Sequence, residues 1–484
     1  MPLDPIPGRT AVAIDLDESE IDTNSPHVAA LLDNLQCNIL KSHGRDFARL
    51  LFLRFTAPPD EVKAWIRRFA ETRVTSARKQ FAESAVYKAD RTPGGVVGAF
   101  LLSAAGYEYL GFDPDELCSR AFRNGMKHRG LDIPGAVLDR GNKDPDPGTW
   151  EDGYRGDLHA LVALADDSED VLAAEAAAVR AEAGAVATIT AVEEGVTLRR
   201  NKEPVEHFGY LDGRSNPVFT KSDVDDEKRR EGEPAGWDPS APLRLVLAKD
   251  RFTDAEDAYG SFLVFRKLGQ DVRAFDDRVA DLATALGVSP ELAGAMVVGR
   301  FKDGTPVATA DTPGSGGANN FNYDGDGGAS RCPFHAHIRK ANPRGTAPLT
   351  TLKAERGRRI VRRGVPYGRP LPGTADTPAA GDAAPATPRG LLFMCFQHDI
   401  ADQFEFIQRA WVDNPHFPTR LRFPFLRDTG DDPLIGQDND EAQRWPTAWG
   451  DENGRQKEFN FESLVTLKGG EYFFCPSLPF LKSL

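Results

Sequence analysis

Apolar runs of strand length alternate with helix-like stretches in a set order, and the order recurs along the chain. Arg49 to Phe55 (RLLFLRF) reads as a strand; Pro58-Pro59-Asp60 then opens a helix whose apolar positions Val62, Trp65, Ile66 and Phe69 repeat at helical spacing. Gly95 to Leu102 (GVVGAFLL) reads as a second, buried strand. Leu158 to Leu164 is largely apolar, Asp166 to Glu169 supplies capping and acidic first-turn residues, an Ala-rich helix runs to about Ala183, and Val186 to Leu198 alternates like a strand. Strand, helix, strand followed by strand, helix, strand is the split βαβ order of a ferredoxin-like unit. After a charged, proline-bearing stretch, Asp223 to Pro242, a similar order begins again. Ser261 to Phe265, Ile360 to Val365, Leu391 to Phe396 and Leu464 to Phe474 are strand-like, and Val272 to Leu286, Pro290 to Val297 and Phe404 to Trp411 are helical. The expectation is an α+β protein of two related halves, residues 1–222 and 223–484. The Ala/Pro/Gly/Thr-rich stretch between Arg369 and Arg389 buries little apolar surface and reads as an inserted surface loop.

The length of 484 residues with 40% hydrophobic content is enough for a core in each half. Lys plus Arg is 59 and Asp plus Glu is 73, a formal charge of −14, which speaks against nucleic acid or an anionic membrane surface as a partner. The N-terminal segment MPLDPIPGRTAVAIDLDESEID has no basic start followed by an apolar stretch, and no window reads as a membrane span. Cys37, Cys118, Cys332, Cys395 and Cys475 are scattered, odd in number and without CxxC spacing, as reduced thiols would be. A soluble, cytoplasmic protein is expected.

Three segments carry chemistry. Glu206 to Pro217 (EHFGYLDGRSNP) flanks Asp212 with Gly209 and Gly213, which suits a tight turn presenting one carboxylate; taken alone, a bare GxxDG is most often an ordinary turn. Arg331 to Arg344 (RCPFHAHIRKANPR) holds two of only nine histidines. One imidazole there suits an axial haem ligand, with Arg339, Lys340 and Arg344 near enough in sequence to pair with propionates. Cys332, His335 and His337 as a zinc site is the rival reading, weakened by the lack of a fourth ligand at regular spacing, and a hydrogen-bonded core histidine is the bland one. Arg358 to Gly368 (RRIVRRGVPYG) places basic residues on a short strand, whose alternation sends Arg362 and Arg363 to opposite faces.

In this order the three segments resemble the dye-decolorizing peroxidase family, and Asn38-Ile39-Leu40, Gly390 to Phe393, Gln403 to Gln408, Asp432 to Gln437 and Gly469 to Pro476 look like further family segments. The resemblance runs from about Leu35 onward. It implies two ferredoxin-like α+β domains of the dimeric α+β barrel type, with haem b (iron protoporphyrin IX) in the C-terminal half. It implies His337 as the proximal iron ligand, Asp212 as the distal acid–base residue, Arg362 as the distal arginine, Leu391 and Phe393 as apolar residues of the distal pocket, and Arg339 as a propionate partner. A carboxylate beside the proximal imidazole is also implied, with Asp399, Glu405, Asp428 and Asp432 all open as candidates. The implied activity is one-electron oxidation of bulky dyes, phenols or other aromatic donors by hydrogen peroxide, in a chain that is free to form a homo-oligomer. The alternative is a haem-binding or haem-iron-handling protein of the same fold with little turnover. Bulky donors cannot reach a buried iron, and by side-chain chemistry Trp411, Trp445, Trp449 and Tyr367 are the candidates for electron entry, each weighed against a plain packing role.

Overall fold

The structure, a computed structural model, describes residues 14–128, 142–376, 388–418, 429–437 and 442–484. In the first half, strands β1 (Phe47–Phe55), β2 (Val97–Leu102), β3 (Ala160–Asp166) and β4 (Ala187–Val196) lie in the order β2-β3-β1-β4, all antiparallel. Helix α1 (Pro59–Thr72) follows β1 and α2 (Glu169–Ala183) follows β3, as the split βαβ reading requires. The apolar positions read from the sequence of α1 are those it buries: Val62, Trp65, Ile66 and Phe69. Ser168 caps α2 by accepting from the Val171 amide.

The second half repeats the plan. Strands β5 (Tyr259–Gln270), β6 (Val361–Arg362), β7 (Val365–Tyr367), β8 (Gly390–Gln397) and β9 (Val465–Cys475) place β5 between β9 and β8, with β6 and β7 both paired to β8. One residue pair at each seam joins the halves, Phe474 to Leu102 and Tyr367 to Gly195. Because β5 also pairs with β8, the strands close into a ring, β5-β9-β2-β3-β1-β4-β7-β8. The expected barrel of two ferredoxin-like units is therefore present. Between the halves the Phe52 ring meets Phe265 at 4.6 Å and Phe473 at 6.2 Å. Each such fully buried ring contributes roughly 1.5–3 kcal/mol. A polar tie sits with them: Lys267 Nζ donates to Glu193 and Glu151, both at 2.7 Å, and the Tyr154 hydroxyl donates to Glu193 at 2.7 Å.

One helix was not read from the sequence, and one expectation needs correction. The Asp223–Pro242 stretch begins inside a helix, α3 (Lys221–Glu231), capped by Thr220 and laced by Lys221–Asp225 at 3.0 Å. It buries only Val224, so it shows no apolar period to read. Ile360–Val365 is not one strand: the chain breaks at Arg363-Gly364, giving β6 and β7. Helices Val272–Leu286 and Pro290–Val298 form as expected, and Phe404–Trp411 falls in two wide π-type helical turns, Ile400–Glu405 and Ile407–Val412. Residues 377–387 of the expected inserted loop lie outside the described residues. No single described helix is long and apolar enough to cross a membrane. All five cysteines are free thiols.

Candidate active site

The Asp212 turn follows from its glycines. Gly209 and Gly213 take positive φ (+87° and +75°), a region that side chains enter at a cost, and the Gly213 amide donates to Asp212 Oδ1 at 2.6 Å. Behind it Glu206 accepts from the amides of Phe208 (2.8 Å) and Tyr210 (2.9 Å) and from Gln270 Nε2 (2.7 Å), so the loop is fixed to β5. Asp212 itself stays half-buried, its carboxylate 3.8 Å from Arg362 Nη1.

Arg362 is held by its backbone and its tip. Its amide donates to Asn216 Oδ1 at 3.1 Å, Asn216 Nδ2 donates to its carbonyl at 3.2 Å, and its Nη2 donates to the Arg214 carbonyl. Asn216 belongs to the same EHFGYLDGRSNP segment as Asp212; its clamp on Arg362 was not read from the sequence, although a half-buried amide facing a strand break is the kind of group that does this. Arg363 points elsewhere: it donates to the carbonyls of Asn38 (2.7 Å) and Ile39 (3.0 Å), and burial pushes its guanidinium down to about 9. Across the ladder Arg362 faces Cys395. Residues directly opposite share a face and alternate residues return to it, so Leu391 and Phe393 lie on the Arg362 face. Both are only partly buried.

His337 opens the short helix α4 (His337–Ala341). Its Nδ1 bonds Asp432 Oδ2 at 2.8 Å, and Asp432, wholly buried, also accepts the amides of Leu434 (2.8 Å) and Ile435 (3.2 Å) on Oδ1. A carboxylate so held orients a neutral imidazole with Nδ1 as donor and leaves Nε2 as the electron-pair donor. Nε2 makes no hydrogen bond among the described residues, so the donor set fits an axial ligand to iron. Of the other carboxylate candidates, Asp399 caps a helical turn through the Asp402 amide and Glu405 bonds the Tyr472 hydroxyl at 2.9 Å, while Asp428 lies outside the described residues.

The other histidine is a core residue. His335 is fully buried, its ring 4.2 Å from Trp445 in an edge-to-face contact, and burial drives its imidazole down to about 3. Zinc finds no support: no group of three or more candidate ligands occurs among the described residues. Arg339 is bonded within its own segment. Its Nη1 pairs with Asp326 Oδ2 at 2.8 Å and also meets the Cys332 carbonyl, its Nη2 meets the Asp326 carbonyl at 2.9 Å, and it is 1% exposed. With both Nη atoms bonded there, it holds the loop before His337. Lys340 is likewise spent on the Asn414 carbonyl at 2.6 Å.

His337 and the Asp212–Arg362 pair do not touch, but their segments are bound together. Arg344, seven residues after His337, donates Nη2 to Ser215 Oγ (2.9 Å) and Asn319 Oδ1 (2.7 Å), and Arg300 donates Nη2 to the same two atoms at 3.4 and 3.0 Å. Burial pushes both guanidinium groups down, Arg344 to about 9 and Arg300 to about 10, and each repels the other. Two buried cations beside the Asp212 loop give this region a positive potential that favours anions. Of the four aromatic candidates for electron entry, Trp411, Trp445 and Tyr367 are buried and Trp449 is half-buried.

Residues 240–422 match the family model for the C-terminal domain of Dyp-type peroxidases. The chain is 39% identical over 464 residues to the multifunctional dye peroxidase DyP2 of Amycolatopsis sp., covering 94% of this chain and 96% of that one. It is 31% identical over 411 residues to the dye-decolorizing peroxidase msp1 of Mycetinis scorodonius, covering 79% and 75% of the two chains. Among solved structures, the DyP-type peroxidase of Anabaena sp. superposes with a TM-score of 0.88 at 42% identity, covering 97% of this chain and 98% of that one. DyP2 from Amycolatopsis sp. gives a TM-score of 0.86 at 37% identity, over 97% and 100%.

Proposed function

Because the chain belongs to the Dyp-type peroxidase family, we propose that it uses hydrogen peroxide to oxidise bulky dyes, phenols and other aromatic donors one electron at a time, with Asp212 and Arg362 activating peroxide and His337 holding haem b. One observation carries this reading. A histidine oriented by a buried carboxylate through Nδ1, with Nε2 free, accompanies a carboxylate–guanidinium pair on a glycine-flanked turn. Haem, the family's cofactor, would be held through His337 and would supply the redox-active iron for the reaction of peroxide with the donor. Leu391 and Phe393, on the Arg362 face, would give it apolar contacts. Arg339 would steady the loop before His337.

The chain's own residues divide the work. Peroxide has to lose the proton on one oxygen and receive one on the departing oxygen. Asp212, with Oδ1 held by the Gly213 amide, is positioned to take the first and return it as the second, a service typically worth about 10²- to 10⁴-fold. Arg362 keeps its charge at working pH and stabilises negative charge on the departing oxygen. Asp432 keeps His337 in the tautomer that offers Nε2 to the metal.

The two strand sets support reading residues 1–222 and 223–484 as separate ferredoxin-like domains, with the haem held mainly by the second. Free thiols at all five cysteines support a cytoplasmic location. Asp212→Asn tests the core of the proposal, since an amide keeps the shape of the carboxylate but cannot accept the proton. The variant is expected to retain haem and to react with peroxide about 10²-fold or more slowly in stopped-flow mixing. A normal rate would remove Asp212 from the reaction.

A further inference from the structure

Arg331 stands apart from the other arginines of its region. Its guanidinium meets no carboxylate and no carbonyl among the described residues and lies over the Trp449 ring, 5.3 Å from its centroid. The pair is rigidly mounted: Trp449 Nε1 donates to the Val307 carbonyl at 2.8 Å, and the Gly450 amide donates to the Ser330 carbonyl at 3.0 Å. Arg331 lines an open crevice of about 480 Å³, whose other walls include Thr309, Phe321, Asn322 and Asp326. That volume is within the range of small-molecule sites.

The charges in the crevice favour an anion. Asp326 is neutralised, its carboxylate paired with Arg339 at 2.8 Å and accepting the amides of Arg331 (3.0 Å) and Cys332 (2.9 Å). The exposed Asp324 accepts from Asn322 Nδ2 at 2.8 Å. Arg331 is then the uncommitted charge of the crevice, on a protein whose formal charge is −14. A planar guanidinium in a crevice that Phe321 also lines suits a ligand that is both flat and anionic, its oxygens bound in a fork and its ring packed on the wall. The crevice is also mounted close to the proposed metal site in the chain. The hairpin leading to Trp449 carries Trp445, whose ring is 4.2 Å from His335, two residues before His337.

We propose that the crevice lined by Arg331 and Phe321 docks anionic aromatic electron donors, sulfonated or carboxylated phenols and dyes, for the peroxidase reaction. The inference rests on the peroxidase reading above. Each phenolic donor gives up one electron and its phenolic proton, so that two donors and one peroxide yield two phenoxyl radicals and two waters. The preference for anionic over neutral donors would then be set at Arg331.

The test titrates the holoenzyme calorimetrically with 2-naphthalenesulfonate, an anionic aromatic probe. Arg331→Gln is expected to weaken binding about tenfold, the share of one charge-assisted hydrogen-bonded contact. The same variant should raise KM for a sulfonated azo dye about tenfold while leaving turnover of a neutral phenol and the rate of reaction with peroxide unchanged. Trp449→Leu should weaken the probe while preserving the peroxide rate. Equal affinity in wild type and Arg331→Gln, or no binding by wild type, overturns the proposal. A wild-type holoenzyme that does not react with peroxide would instead overturn the peroxidase reading, and the titration would still decide whether the crevice binds aromatic anions.

Discussion

Asp432→Asn isolates what the buried carboxylate does for His337. In the wild type one oxygen accepts from His337 Nδ1 at 2.8 Å and the other from two amides, Leu434 and Ile435, at 2.8 and 3.2 Å. An asparagine cannot serve both sides. If its NH₂ faces the histidine, two donors meet; if it faces the amides, two backbone donors lose their acceptor. Either arrangement leaves a buried donor unsatisfied, at about 1–3 kcal/mol. A haem affinity loss of about 10- to 100-fold, the usual effect of removing a partner behind a metal-bound histidine, amounts to about 1.4–2.8 kcal/mol, so the two approaches agree. The assay is the rate of haem transfer to excess apomyoglobin, with resonance Raman of the ferrous iron–histidine stretch as a second readout. Faster transfer and a lower stretching frequency are expected in Asp432→Asn. Asp413→Asn, which removes a nearby carboxylate without a bond to His337, should leave both unchanged. Equal haem retention in wild type and Asp432→Asn, or matching losses in the two variants, would refute the assignment of the hydrogen bond as the cause.

His337→Ala should lose stably bound haem, whereas His335→Ala should keep it and lose roughly 2–4 kcal/mol of stability through the cavity beside Trp445, read by haem titration and chemical denaturation. Arg362→Leu should bind haem and react slowly with peroxide in rapid mixing; Arg363→Leu should instead lower the melting temperature, because it strands the buried carbonyls of Asn38 and Ile39. Burial pushes Asp413 up to about 7, so protonation favours the fold: its contribution is complete below the ordinary carboxylate range near pH 4 and is lost as pH rises through 7. Asp413→Asn should accordingly raise the melting temperature at pH 8 and give no gain at pH 4.

What the sequence revealed follows the range of the interactions involved. Val272–Leu286 was legible at both ends because its signals are local, with Asp271 capping the first turn and Gly287 closing the last at φ +74°. Helix α3 was not, because charges and a cap hold it and no apolar stripe marks it. The opposite facing of Arg362 and Arg363 was legible from strand alternation alone. Asp432 could not be singled out among four carboxylates, since its bond to His337 spans 95 residues that only the fold brings together. The partner of Arg339 was hidden for a related reason: a cation near the proposed ligand suggests an anionic cofactor group, and the buried acid that pairs with it, Asp326, lies 13 residues earlier.

The same contrast explains why the Asp212 segment extends past its glycines and why Asn38-Ile39-Leu40 accompanies it. Strand β6 holds two adjacent arginines, and a slip of one residue would exchange them between faces, removing the cation that stands beside Asp212. A two-residue strand has little ladder of its own to prevent this. Asn216 reads the backbone of Arg362 through both its amide and its carbonyl, while the carbonyls of Asn38 and Ile39 capture the Arg363 guanidinium on the other side. The break after Arg363 then lets the chain resume pairing as β7 without transmitting the register onward. On this argument the Asn216 clamp and the Asn38–Ile39 carbonyls are positioning elements for Arg362, and the distance of Arg362 from Asp212 is fixed by backbone contacts on both faces of the strand and not by the ion pair alone.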